Sequence, residues 1–280
     1  TYLGEVLMPS SNKYMREYRK KHLEQVRKNA RRSFHNRKKN NPEFAESLKW
    51  YQRRARHGLT KSDFMAMFTR QHSRCAGCNR QLEIDKSTHI DHDHITGNPR
   101  GLLCVRCNFA LGYVQDKRDV LYQLAAYLEL DRSKPVVYVI GSLRNPNIPQ
   151  LGNDIRALGI EAVDNWWATG EIADDTWNKY SDIRKRTYRE ALQSREAVHT
   201  FNFDKAYLNL ADAVVMLFPV GKSAGLEFGY AIGQGKKGYI LIEGEVGRYE
   251  VMAQFASAVV FRERENLLGQ LKKDFSLCKT

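Results

Sequence analysis

Two Cys-x2-Cys pairs, Cys75-Ala-Gly-Cys78 and Cys104-Val-Arg-Cys107, constrain this chain more than anything else in it. Each pair offers two sulfurs from one tight turn. Four thiolates at this spacing close a tetrahedral zinc site and staple the 25 residues between them. Gly77 gives the first turn a permissive backbone. A redox role would need only one pair. Five cysteines in 280 residues are also too few and too clustered for a secreted disulfide scaffold. The fifth, Cys278, lies outside both motifs and is expected to be idle.

Between the pairs runs His89-Ile90-Asp91-His92-Asp93-His94, followed by Thr96-Gly97-Asn98-Pro99-Arg100-Gly101. Three imidazoles and two carboxylates in six residues exceed what a fold needs. Strand alternation would put Asp91 and Asp93 on one face and His92 and His94 on the other. A strand end or turn just after Asp91 would let Asp91 and His92 converge. Asp91 offers a hard oxygen to Mg²⁺ or a similar cation, and His92 offers a base that titrates near neutrality. Together they are the minimum for metal-assisted phosphodiester hydrolysis: a Lewis acid on the phosphate and a base for water. His89 reads equally as a packing residue, and Asp93 as a residue that orients its neighbours.

Charge is partitioned along the chain. Residues 1–60 hold 16 Lys and Arg against 5 Asp and Glu, whereas residues 135–280 hold 18 of each. Nearly all of the net +13 therefore lies in the first fifth. Residues 13–57 read as helical with little core. Asn40-Asn41-Pro42 breaks the run in two, with Pro42 in the first turn of the second helix. A run of this kind is either a solvated basic linker or a binder of phosphate backbones by counterion release. The neighbouring hydrolytic cluster favours the second.

The series Cys75-x2-Cys78, His89-x-Asp91-His92-Asp93-His94-x-Thr96-Gly97, Arg100-Gly101-Leu102-Leu103-Cys104-x2-Cys107-Asn108 closely resembles the recombination endonuclease VII family over about residues 60–130. Those are HNH nucleases with a ββα-metal finger. The resemblance implies zinc on Cys75, Cys78, Cys104 and Cys107, and a catalytic Mg²⁺ or Mn²⁺ on Asp91 and Asn108. It makes His92 the general base, with His94 assisting at the phosphate or leaving oxygen, and DNA the substrate. Relatives that act as dimers make a homodimer an expectation. Asn108 also fits on its own terms: it follows Cys107 at the start of the expected finger helix, and its amide oxygen can ligate a hard cation without adding charge. Some family members carry a carboxylate three residues further on, where this chain has Leu111.

Residues 121–130 read as a helix closing the nuclease module, and 131–135 as a polar linker. The periodicity then changes. Val136-Val137-Tyr138-Val139-Ile140 is a continuous apolar strand that ends in Gly141-Ser142. Strands at 213–218 and 239–242 repeat the pattern, with helices expected near 150–158, 175–195, 202–210 and 224–234. This alternation predicts a doubly wound, Rossmann-like α/β sheet with its site at the carboxyl ends of the strands, in loops 141–147, 164–171 and 219–227. Trp166 and Trp167 are base-stacking or core residues; Arg144 and Asn145 are phosphate or ribose contacts or plain loop residues.

The third loop leads into a helix with Glu227 in its first turn, where the dipole keeps a carboxylate ionised and the free N–H groups can cradle phosphate. Lys222 and Ser223 stand ready to help. Met216 occupies the place where a P-loop needs glycine, which rules out nucleoside triphosphate hydrolysis at this loop. The pattern Asp204-x7-Asp212, the strand, then Glu227-Phe228-Gly229-Tyr230-Ala231-x2-Gln234-Gly235-Lys236 looks like the nucleoside 2-deoxyribosyltransferase superfamily over about 135–275. That group includes deoxynucleotide N-glycosidases and is related in fold to TIR-type NAD-cleaving domains. The resemblance implies Glu227 as nucleophile at the anomeric carbon and Asp204 as the carboxylate that assists the departing base or holds the sugar. The transferases usually carry an Asp in this loop; Lys222 and Ser223 in its place suit a 5′-phosphate, and Gly141 and Arg144 would complete the nucleotide site.

The sequence therefore predicts an α+β part followed by an α/β part. Residues 1–58 are a basic helical DNA-binding arm, 59–131 an HNH finger, and 132–280 a transferase-like sheet domain. Three functions fit: an endonuclease fused to a deoxyribosyltransferase or N-glycosidase, a nuclease gated by a nucleotide-sensing domain in phage–host conflict, or a non-catalytic DNA-binding module. No apolar run approaches the roughly 18 residues of a membrane span and no signal peptide opens the chain, so a cytoplasmic protein of bacterial or phage origin is expected. The chain opens on Thr1, so leading residues are expected to be missing or processed.

Overall fold

Asn41 ends one basic helix and starts the next. Helix α1 spans Ser11–Lys21, α2 Leu23–Asn40 and α3 Pro42–His57, so the arm breaks at His22 as well as at the expected Asn-Pro step. The Asn41 side chain accepts a hydrogen bond from the Phe44 N–H at 2.9 Å, and Pro42 occupies the first turn, where no N–H is needed. The computed structural model describes residues 11–243, 251–256 and 260–276. Its two compact units meet in sequence between Tyr113 and Val114.

In the first unit α2 buries nothing, as its composition requires. α3 differs: Trp50 lies edge-on to Phe64 at 5.3 Å, and the Arg53 guanidinium stands 4.4 Å from the centre of the Phe64 ring. The last helix of the arm is thus docked on the core behind it, whereas sequence reasoning ended the arm at residue 58. α4 (Lys61–Arg70) starts in a capping box between Thr60 and Asp63. Strands β1 (Thr88–His92) and β2 (Pro99–Cys104) form an antiparallel hairpin, and α5 (Val105–Tyr113) follows directly. Phe64, Met67, Leu82, Ile90, Leu102 and Leu103 pack with Cys75 and Cys104 into one small core. The Gln71 side chain acts as an extra strand residue: its amide donates to the Leu102 carbonyl at 2.9 Å and accepts from the Leu102 N–H at 2.8 Å.

The second unit opens with α6 (Arg118–Glu129), followed by β3 (Val136–Ile140), α7 (Ile148–Ala157), β4 (Glu161–Val163), α8 (Ala173–Ile183), α9 (Tyr188–Leu192) and α10 (Arg195–Leu210). β5 (Ala213–Phe218), α11 (Ala224–Gly233), β6 (Lys237–Ile242), β7 (Val260–Phe261) and α12 (Arg264–Asp274) complete it. The strands are parallel throughout, in the order β4-β3-β5-β6-β7. Alternation splits β3 between two cores. Val136, Tyr138 and Ile140 join Val214, Met216 and Ile240 under α10 and α11, while Val137 and Val139 join Val215, Leu217 and Leu241 under α7 and α12.

Two expectations change here. The helix assigned to closing the nuclease module belongs to the second unit: Tyr122 bonds His199 Nδ1 at 2.7 Å, Asn209 donates to Gln123 at 3.1 Å, and Tyr207 bonds Glu129. The helix expected at 175–195 is two, because Thr187 and Glu190 form a fresh capping box that starts α9.

Candidate functional site

The cysteine cluster is the most compact constellation among the described residues. All four sulfurs lie within 4.8 Å of one another. Ligands at 2.3 Å from a tetrahedral zinc stand about 3.8 Å apart, and Cys78 and Cys104 are separated by 3.8 Å. The donor set therefore fits structural zinc. Burial raises the Cys75 thiol, but the N–H groups of Cys104, Cys78 and Gly77 outweigh it and bring the thiol down to about 6. Burial and the neighbouring sulfurs push Cys107 up, because four thiolates this close need a cation. Gly77 lies close to the cluster: a Cβ there would press on Cys107 Sγ at 3.1 Å.

The hairpin positions the residues from which hydrolytic chemistry is expected. Asp91 pairs with Gly101 and His92 with Pro99, so Arg100 is the extra residue of a bulge. β1 ends one residue after Asp91. Asp91 is 9% exposed and receives a two-pronged bond from Arg100, Nε to Oδ2 at 2.8 Å and Nη2 to Oδ1 at 3.0 Å. A divalent cation on Asp91 must share these oxygens with Arg100 or displace it. The His92 ring stands 5.0 Å from that of His94 and 5.2 Å from that of His57. Asn108 is half-buried in α5, which packs on both strands. Asp93 does orient its neighbours: its Oδ1 accepts from the N–H groups of Ile95 and Thr96. His89 faces Phe109 at 6.1 Å. Leu111 packs against the finger core, so the position that carries a carboxylate elsewhere is used here for burial.

Sequence reasoning missed His57 and Arg53. Burial, then the charges of His92, Arg56 and Arg53, hold the His57 imidazole below its usual range. Both are readable only in retrospect, as the helical series Lys49, Arg53, Arg56 running into a His before the C-capping Gly58.

In the second unit the parallel order makes β3 and β5 the strands between which the connections diverge, where open α/β sheets form their crevice. Glu227 in the first turn of α11 and Asp204 on α10 both act on the Tyr138 hydroxyl beneath them and raise it further above its burial-elevated value. Burial, then Asp204, lifts Glu227 to about 7, and burial lifts Asp204 to about 6. The helix dipole does not keep Glu227 strongly ionised, as the sequence suggested; desolvation outweighs it. Lys222 and Ser223 are exposed, and the Ser223 side chain makes no cap bond. Gly141 is needed because a Cβ would collide with Ile148. Arg144 is held by Asp174 and Asp175, each at 3.0 Å, so its charge is already answered. Asn145 is buried and ties the two loops together through the carbonyls of Leu217 and Pro219. Trp166 donates to the Val139 carbonyl at 2.9 Å, and both tryptophans pack on the core.

The chain is similar to two phage proteins. It is 40% identical over 88 residues to the Gene 59 protein of Mycobacterium phage D29, covering 31% of this chain and 52% of that protein. The match to the Gene 59 protein of Mycobacterium phage L5 is 36% over 88 residues, with the same coverage. The chain thus spans about half the length of these curated relatives. The four clustered cysteines, the bulged hairpin and α5 all fall within residues 50–130, the segment that matches the recombination endonuclease VII family.

Proposed function

We propose that the first unit is a DNA endonuclease that uses Mg²⁺ or Mn²⁺ on Asp91 and Asn108, with His92 as general base, His94 assisting at the phosphate or leaving oxygen, and zinc on the four cysteines as a staple. One observation carries the reading: Asp91, clamped by Arg100, and His92, beside His94, are the last two residues of β1, where β2 bulges at Arg100 on its way to Cys104 of the cysteine cluster. The metal would supply Lewis acidity at the phosphate. What the chain itself contributes is a base within reach of water and a buried carboxylate whose orientation Arg100 fixes. The basic helices would add sequence-independent attraction for the phosphate backbone.

The test is plasmid nicking with Mg²⁺ or Mn²⁺. His92→Ala should lower the rate by about 10²- to 10⁴-fold, the usual contribution of a general base, while DNA binding persists. Full metal-dependent cutting by His92→Ala refutes the assignment.

A second reading concerns the Glu227–Asp204 pair. Two carboxylates kept partly protonated near neutrality at the crevice of a parallel sheet suit acid and nucleophile roles in N-glycoside cleavage. We assign the second unit a nucleoside or nucleotide ligand there, with Lys222 and Ser223 towards its phosphate and Gly141 lining the turn. Free base released from deoxynucleoside monophosphates or NAD, and lost in Glu227→Ala, tests it. Nucleotide-dependent DNA cutting without base release would favour a sensor that gates the nuclease.

A further inference from the structure

A cleft of about 430 Å³ runs between α3 and β1 in the first unit and ends at His57 and His89. Its walls carry Lys38, Lys49, Arg53, Arg56 and Lys86 against one carboxylate, Asp85. That carboxylate is already engaged by the Ser87 N–H at 2.8 Å and the Ser87 hydroxyl at 2.6 Å. Among the described residues, none of the five cations is ion-paired. Two buried nitrogens on this wall, Arg53 Nη1 and His57 Nδ1, make no hydrogen bond within the protein.

The spacing is that of a chain ligand. Lys49, Arg53 and Arg56 lie on one face of α3, at i, i+4 and i+7, and span about 10 Å along its axis. At a rise of about 3.4 Å per nucleotide that length follows about three phosphates of one strand. The end of the series is not solvent: the His57 ring reaches within 5.2 Å of the His92 ring. We infer that this cleft is the track for the sugar–phosphate backbone of the DNA strand, and that it delivers the backbone to the hydrolytic centre at His57. The inference rests on the nuclease reading for the identity of that centre. It makes α3 a wall of the site, where a charged tether would bind DNA anywhere along its length.

Lys38, Arg56 and Lys86 are exposed and come from three different segments, so replacing them leaves the core intact. The triple variant K38Q/R56Q/K86Q is compared with K179Q/R184Q/R189Q, which removes equal charge from exposed positions in the second unit. Binding to a short fluorescein-labelled DNA duplex is measured against salt without divalent metal. The cleft variant should lose about 0.9 from the slope of log affinity against log salt for each phosphate contact removed, up to ~3 in all. The control should keep the wild-type slope. An unchanged slope in the cleft variant, or an equal loss in the control, overturns the track. Metal-dependent cutting by the wild-type protein is scored separately, so that a failure of the nuclease reading appears in the cutting assay and a failure of the track appears in the slope.

Discussion

Replacing Glu227 with Gln should stabilise the protein, and only as pH rises above about 4.5. Burial, then the neighbouring Asp204, lifts Glu227 from 4.5 to about 7. The unfolded chain ionises this carboxyl freely near pH 4.5, whereas the folded chain must ionise it against desolvation. Folding stability is therefore fully present at pH 4 and is lost as pH rises to about 7. At 1.36 kcal/mol for each pH unit of displacement, the loss at pH 8 is on the order of 3 kcal/mol. Gln keeps the shape and never ionises, so Glu227→Gln should match wild type at pH 4 and exceed it at pH 8. For a unit of this size a kcal/mol moves Tm by about 2–4 °C, which predicts a gain of ~6–12 °C at pH 8. Tryptophan fluorescence is the assay of choice, because Trp166, Trp167 and Trp177 lie in the second unit and only Trp50 in the first. A Tm difference that is equal at both pH values, or a variant less stable at pH 8, would show that Glu227 is a solvated helix-start charge and refute the buried-pair argument. Activity is read in parallel: a stabilised variant that still releases base would leave the carboxylate without a chemical role.

Metal analysis of the purified protein should find zinc, and Cys104→Ala should abolish it. Structural zinc contributes on the order of 10 kcal/mol to folding, so the first unit of that variant should lose its cooperative melt while the second keeps its own. Gly77→Ala should cost about 1–3 kcal/mol and speed zinc loss to a chelator, because its Cβ would lie 3.1 Å from Cys107 Sγ; an unchanged release rate counts against the close approach. Leu111→Glu should lower stability by about 1–3 kcal/mol through burial of a polar group against the finger core. If Leu111 stands where a carboxylate would reach the catalytic cation, the same change should lower the Mg²⁺ concentration needed for half-maximal cutting; a higher requirement would sever the position from the metal.

The features legible in the sequence were those fixed by covalent spacing or long apolar runs. The cysteine pairs are each separated by two residues, the first in a turn and the second where β2 runs into α5, which leaves their sulfurs little choice, and Val136–Ile140 is apolar enough to be a buried strand wherever it lies. What stayed hidden depended on partners. An amphipathic pattern identifies a helix at Arg118–Glu129 but not its neighbour, and only the bonds from Tyr122 and Gln123 to α10 decide that. β4 and β7 are too short for periodicity to register. α3 looked like solvated charge because its docking relies on Arg53 lying over Phe64 and Trp50, a contact in which a cation counts as core. His57 carried no signal at all beyond being one more histidine.

The fate of the basic charge follows from that docking. No residue of α2 is buried, so its cations other than Lys38, which lines the cleft, would act at a distance: they would raise the local concentration of polyanion, and salt would screen them within about 8–10 Å. Arg53 and Lys49 on α3 are partly desolvated, and burial pulls both below their usual range. A cation in that state is held in place before its ligand arrives, and it interacts more strongly with a phosphate because less water competes. The two sets should therefore separate in kinetics. Neutralising the α2 cations other than Lys38 should slow association and leave the position of the cut unchanged. Neutralising the α3 face should let DNA arrive at nearly the normal rate but hold it out of line with His92, so that turnover at saturating DNA falls. On the proposed reading the lysines and arginines divide into two sets with different tasks, and packing against Trp50 and Phe64 is what tells them apart.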